Sequence, residues 1–181
     1  MENAIAAVSA CYQMDISIEE SAKALKNYKG IYRRHQLIGQ PGGIYLIDDY
    51  AHNPAKLAAS IKACQFPESK LIVWFQPHGF TPTKFLRTEF VKEISEALRE
   101  DDEVWMSEIY YAGGTVTKDI SANDLIEDIK NNHSKAFFVE DRKELPSLLK
   151  QRLNNGDVLL LTGARDPSLA DFASFVYNSL K

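Results

Sequence analysis

The sequence predicts an α/β protein, a mostly parallel sheet with helices on both faces, preceded by a short helical segment. Three observations carry this reading. Nearly continuous apolar runs at 44–48, 71–75, 104–109, 136–139 and 158–162 have the composition of strands buried on both faces. Helical patterns at 55–64, 84–99, 122–131, 142–153 and 167–180 alternate with them, which is the rhythm of strand–helix–strand crossovers. Polar clusters stand where the strands end, and a parallel sheet takes its ligands beyond the carboxyl ends of its strands.

In chain order, 4–14 and 18–28 read as two helices forming a hairpin. The second, IEESAKALKNY, has acidic residues early and lysines late, as the helix dipole favours. HQLIG and IYLID then flank QPGG, two strands joined by a turn with flexible glycines. A boundary is expected near 30–34, dividing the chain into 1–30 and 31–181. The sequence begins as if in the middle of a helix, as a piece cut from a longer protein would. It has no internal repeat and no low-complexity segment.

Length and composition narrow the function. A chain of 181 residues holds one α/β domain, so any second unit is a fragment. With 45% hydrophobic residues, 25% charged and a net charge of −4, it has the make-up of a soluble globular protein. The absence of a Lys/Arg block argues against nucleic acid or an acidic membrane as a partner held by bulk charge. Only Cys11 and Cys64 are present, with no CxxC pair, so neither a disulfide framework nor a zinc site is indicated. No basic leader and no stretch of about 18 apolar residues is seen, and a cytoplasmic location is expected.

Four stretches carry candidate chemistry. In YLIDDYAHNPAKLAASI, Asp48 or Asp49 is placed to hold a cation or an ammonium group. Tyr50, His52 and Asn53 project from a loop, and Pro54 starts a helix. The plain alternative is a turn with a helix cap and a bystander histidine. In WFQPHGFTPTKFLRTEF, Gln76 and His78 follow a strand, Gly79 admits close backbone approach, and Thr83, Lys84 and Arg87 lie at a helix start suited to an anion. The alternative is an ordinary proline-punctuated loop. Tyr32-Arg33-Arg34-His35 offers a guanidinium for a phosphate, or a solvated basic face. YYAGGTVTKD and LLTGARDPSL are glycine-bearing loops without a phosphate-binding signature, since GxGxxG and GxxxxGK[ST] are both absent. That absence weakens a nicotinamide-dependent dehydrogenase.

Taken together, NAIAAVSACYQMDISIEESAKALKNYKGIYRR, LIDDYAHNP, FQPHGFTPTKF and GDVLLLTGARD resemble the C-terminal part of the Mur ligases. The DDYxHxP and QPHxxTxT patterns favour the branch that adds L-alanine to UDP-N-acetylmuramate. The resemblance implies that 1–30 is the remnant of a central ATPase domain and 31–181 a Rossmann-like, amino-acid-binding domain. It implies ATP and Mg²⁺ as cofactors, with the metal ligands largely outside this chain, and an acyl phosphate attacked by an amine. Asn3, Arg34 and Asp49 match nucleotide-site positions, Tyr50 and His52 line the amino-acid site, and Asp49 and His52 are the catalytic candidates. Asn53, His78, Thr83, Lys84 and Arg87 complete the substrate-binding set. The implied partners are UDP-N-acetylmuramate, an amino acid or peptide, and upstream domains of the same chain.

Two departures are expected to matter. The GK[ST] loop and the UDP-binding domain are missing, so these 181 residues alone are expected to be inactive. Arginines usual in the QPHxxTxT loop are replaced by Gly79 and Pro82, which puts L-alanine in question. Lys84 or Arg87 then becomes the candidate replacement cation, or the incoming group is a peptide, as in the branch that recycles murein tripeptide. D-x-x-HNP loops also occur in folylpolyglutamate synthases and cyanophycin synthetases, against which the QPH loop speaks. A non-catalytic binding module of the same fold is the remaining alternative. Asp49→Ala is expected to cut turnover while leaving the fold intact.

Overall fold

Leu71–Gln76 and Val158–Gly163 are buried at every position, and these two strands, β3 and β6, pair at the centre of a six-stranded sheet. The computed structural model describes residues 2–181. Its other strands are β1 (Gln36–Gly39), β2 (Tyr45–Asp49), β4 (Glu103–Met106) and β5 (Ala136–Phe138). The order across the sheet is β1-β2-β6-β3-β4-β5, with β1 antiparallel to β2 and every other pair parallel. β2 and β3 therefore flank β6, so three carboxyl ends lie side by side.

Alternation along the strands sends side chains to two cores. Leu71, Val73 and Phe75 join Leu160 and Met106 on one face, packed on α3 (Pro54–Ala63), α5 (Arg87–Ala97) and α6 (Ala122–Lys130). Ile72, Trp74, Leu159 and Leu161 face the other way, against α7 (Leu145–Leu149) and α8 (Leu169–Ser179). Each such side chain contributes about 1.5–3 kcal/mol by leaving water, so the two-sided burial of β3 and β6 anchors the sheet.

Several boundaries differ from expectation for local reasons. The strand expected at 104–109 ends at Met106, because Ser107 Oγ accepts the Trp74 indole N–H at 2.9 Å and Glu108 turns to cap α6. The helix expected over 84–99 is two helices, α4 (Phe80–Phe85) and α5, broken at Leu86 with φ −95° and ψ 11°. The helix expected over 142–153 is a 3₁₀ turn, Arg142–Glu144, followed by the short α7, and Pro146 sits in the first turn of α7 where its missing N–H costs least.

The chain divides into two compact units, one ending at Ile31 and one running Tyr32–Lys181. The first holds α1 (Glu2–Tyr12) and α2 (Ile18–Lys26). Asp15 turns between them at φ 61°, and a capping box starts α2: Ser17 Oγ accepts from Glu20 N–H, and Glu20 accepts from Ser17 N–H, both at 3.2 Å. Asn3 lies exposed on α1. Among the described residues no helix is long and apolar enough to cross a membrane.

Candidate functional site at the carboxyl edge of the sheet

The end of β2 is built around two adjacent carboxylates with different partners. Arg33, buried and at φ 52°, donates from Nε and Nη2 to the Asp48 carboxylate at 2.8 and 3.2 Å, and from Nη2 to the Gly163 carbonyl at 3.0 Å. This fork ties the segment before β1 to the ends of β2 and β6. Burial pushes the Asp48 carboxyl up from its usual range; the Arg33 hydrogen bonds and charge pull it back in part, and neighbouring Asp49 adds to the rise.

Asp49 accepts from His35 N–H at 2.8 Å and from Ala51 N–H at 2.7 Å, with His35 Nδ1 at 3.3 Å. Its lone pairs are largely engaged inside the protein. Asp49 is thereby a clamp on the turn that carries Tyr50 and His52. Tyr50 N–H donates back to the Arg33 carbonyl at 2.8 Å, and its ring lies 5.3 Å from the Arg33 guanidinium and 5.2 Å from that of Arg34. Arg34 is exposed, and among the described residues it forms no ion pair.

His52 is half-buried, and its Nδ1 donates to the Tyr50 carbonyl at 2.9 Å. A carbonyl only accepts, so the neutral ring carries its proton on Nδ1 and leaves the Nε2 lone pair free. Asn53 is the helix cap of α3: its Oδ1 accepts from Lys56 N–H at 2.9 Å, with Pro54 following. The plain alternative therefore accounts for Asn53, while His52 is fixed by a hydrogen bond.

From the end of β3, His78 approaches His52 with ring centroids 5.6 Å apart. Burial draws the His78 pKa down, and the His52 and Arg165 charges add to the effect. The His78 segment is held by two backbone bonds, Gly79 N–H to the Tyr110 carbonyl at 3.0 Å and Tyr110 N–H to the Pro77 carbonyl at 2.8 Å. Gly79 takes φ 74° before α4. The helix start expected around Thr83, Lys84 and Arg87 is thus divided: α4 starts at Phe80, with Thr83 and Lys84 inside it, and α5 starts at Arg87. Thr83 is buried, Lys84 pairs with Asp119, and Arg87 donates to Asp128 at 2.6 Å and to the Asp124 carbonyl at 3.3 Å. Those bonds commit both cations to the α6 side, and neither joins the histidine pair.

The third strand end, β6, holds residues the sequence did not single out. Arg142, from the 3₁₀ turn before α7, donates to Gln76 Oε1 at 2.7 Å, Asp166 Oδ2 at 2.7 Å and Ser168 Oγ at 2.6 Å. It fastens the loops after β3 and β6 to one another. Burial pushes the Asp166 carboxyl up, but the Ser168 and Arg142 bonds outweigh it and hold the group below its usual range. Arg165 between them is exposed, at φ 69°. Nothing local marks Arg142, because its partners are 24 to 66 residues away. Arg165 had a weak signal: a guanidinium inside a glycine-bearing loop at a strand end.

The arrangement offers two half-buried imidazoles, a phenol and two exposed guanidiniums at one edge, which suits an anionic or zwitterionic ligand. Among the described residues no group of three His, Cys, Asp or Glu side chains is arranged to hold a metal ion.

Residues 33–165 match the model of the family described as Mur ligase, glutamate ligase domain. The chain is 37% identical over 171 residues to a UDP-N-acetylmuramate–L-alanine ligase of Acetivibrio thermocellus, covering 92% of this chain and 35% of that one. It is 38% identical over 168 residues to the ligase of the same name from Pelotomaculum thermopropionicum, covering 92% and 36%. The crystal structure of UDP-N-acetylmuramate-alanine ligase from Thermotoga maritima superposes with a TM-score of 0.75 at 26% identity, covering 99% of this chain and 37% of that one. The chain spans about a third of the length of the relatives it matches.

Proposed function

We propose, from the premise that this chain belongs to the Mur ligase family, that it is the amino-acid-binding part of an ATP-dependent ligase joining an amino acid to UDP-N-acetylmuramate. In this reading 31–181 is the C-terminal domain, and 1–30, with Asn3, is the end of a central ATPase domain. The observation that carries it is the meeting of Tyr50 and His52 from β2 with His78 from β3, on loops clamped by Asp49 and Arg142.

ATP, when bound, supplies the phosphoryl group that turns a carboxylate into an acyl phosphate. Arg34 fits a phosphate contact, because its guanidinium is exposed and without an ion pair while that of Arg33 is spent on Asp48 and Gly163. Asp49 does not fit a direct ligand role, since its oxygens already serve His35 and Ala51. In this reading the Mg²⁺ ligands lie largely in upstream domains of the same chain, and the ion would offset the charge of the phosphates there.

What the chain itself does is present the amine. The free Nε2 lone pair of His52 takes a proton from the incoming ammonium. The amine lone pair then forms the bond to the acyl carbon, and phosphate leaves with the electrons of its C–O bond and takes up the second amine proton. Holding amine and acyl group together removes the entropy cost of their encounter.

The test is phosphate release by the longer protein containing this chain, with ATP, Mg²⁺ and UDP-N-acetylmuramate, offering L-alanine, glycine, L-serine or L-alanyl-γ-D-glutamyl-diaminopimelate in separate reactions. Release with L-alanine is the expected result. Release with tripeptide alone supports a recycling ligase, a second reading favoured by the absence of a cation at Gly79 and Pro82. Silence with all four overturns both and moves the weight to another acid substrate, as in folylpolyglutamate or cyanophycin synthesis, or to a non-catalytic module.

A further inference from the structure

Every acidic group at these three strand ends is already committed. Asp48 is forked by Arg33, Asp49 is held by His35 and Ala51, and Asp166 by Arg142 and Ser168. Arg165 is left over: it is exposed, and among the described residues its side chain has no ion pair. β6 lies between β2 and β3, so the loop bearing Arg165 emerges between the loops bearing His52 and His78. Its backbone adds a second, independent sign. Arg165 stands at φ 69°, a conformation glycine adopts freely and an arginine rarely does, and strain of this kind concentrates at functional sites. The positions from which guanidiniums were expected are closed to that role. Gly79 has φ 74°, a Cβ there would stand 3.0 Å from Pro82, and Lys84 and Arg87 are paired elsewhere.

We propose that Arg165 is the specificity-determining residue of this site, receiving the α-carboxylate of the incoming amino acid while His52 and His78 face its amine. The inference rests on the reading of this domain as the amino-acid-binding part of a ligase. A planar guanidinium matches a carboxylate as a two-bonded fork. The neighbouring imidazoles suit the other end of a zwitterion: His52 presents a lone pair, and burial favours the neutral form of His78. A phosphate dianion shares the oxyanion chemistry, but it has no ammonium group to meet the imidazole lone pairs.

The experiment follows the His52 and His78 ring resonances of the 181-residue chain by NMR as L-alanine, L-alaninamide or inorganic phosphate is added. L-Alanine is expected to shift both rings saturably and L-alaninamide, which lacks the carboxylate, is not. Arg165→Gly is expected to weaken L-alanine binding at least about tenfold, the size of one charge-assisted contact. It keeps the fold, because glycine accepts the left-handed backbone. Arg165→Lys keeps the charge without the fork and is expected to fall between the two. The proposal is overturned if Arg165→Gly binds L-alanine as the wild type does, if no saturable shift appears by about 100 mM, or if phosphate saturates the site at lower concentration than L-alanine. The readout is binding rather than turnover. Arg165-dependent binding by a chain whose longer protein releases no phosphate would sink the ligase reading alone, and the reverse pattern this inference alone.

Discussion

Asp49 and Arg33 illustrate how a residue near a reaction acts through its neighbours. The Asp49 carboxylate accepts the N–H of Ala51, a residue 1% exposed, so that donor has no solvent to turn to if the carboxylate is removed. Leaving a buried donor unpaired costs about 1–3 kcal/mol. Asp49→Ala is therefore expected to lower stability by about that amount as well as to cut turnover, with the fold itself left intact. Asp49→Asn keeps an acceptor oxygen for Ala51 and is expected to lose less. Urea midpoints of the two variants check this, and an Asp49→Ala chain as stable as the wild type would remove the clamp from the account. Arg33 and Arg34 are adjacent in sequence but have opposite fates, one buried on Asp48 and one exposed beside Tyr50. Charge does not distinguish them, and the resemblance singled out Arg34 by its spacing alone; the burial of Arg33 comes with the turn at φ 52°.

At the scale of the element, the entry to α4 is a tightly constrained turn of the site. Gly79 has φ 74°, and a Cβ built on it would meet Pro82 Cγ at 3.0 Å and Cδ at 3.3 Å. Gly79→Ala thus carries a backbone term of about 1 kcal/mol and a steric term on top. The second should disappear in a Pro82→Ala background. A double-mutant cycle by urea denaturation is expected to give a smaller cost for Gly79→Ala in that background, and strict additivity would show that the two positions are not coupled. The same turn shows what was legible. That a glycine followed the strand was readable, and so were the apolar strands and the polar ends of β2, β3 and β6, because each is a local pattern. The side-chain bonds of Arg142 and the pairing of Arg87 with Asp128 were not, because each is decided by a partner on another element, and nothing in the local pattern marked the break at Leu86. Thr83, Lys84 and Arg87 were read at one helix start; Arg87 does open α5, but Thr83 and Lys84 lie inside α4, which begins at Phe80.

At the scale of the whole molecule, the lowered pKa values of His78, Asp166 and Asp102 act on stability in one direction and the raised pKa of Asp48 opposes them. Burial, with His52 and Arg165, holds His78 below its ordinary 6.5, so the unfolded chain binds the proton first and stability is lost as pH falls through that value. Asp166 and Asp102 are both pushed up by burial, but hydrogen bonds outweigh it, from Ser168 and Arg142 in one and from Arg99, Leu71 and Gln65 in the other. Their folded forms stay below 3.8, and their contribution is lost only below that. Asp48 has the opposite sign: its raised folded pKa disfavours the folded state at neutral pH, and this is relieved as it takes up a proton on acidification. The expected profile is a first loss of stability between about pH 7 and 5, from the histidine, and a second below about pH 4. His78→Gln keeps a polar side chain without a titrating group and is expected to flatten the first step while leaving the second. Melting temperatures of both chains from pH 3 to 8 test it. A first step of unchanged size in His78→Gln would place that proton uptake on another group and separate His78 from the electrostatics of the strand-end cluster.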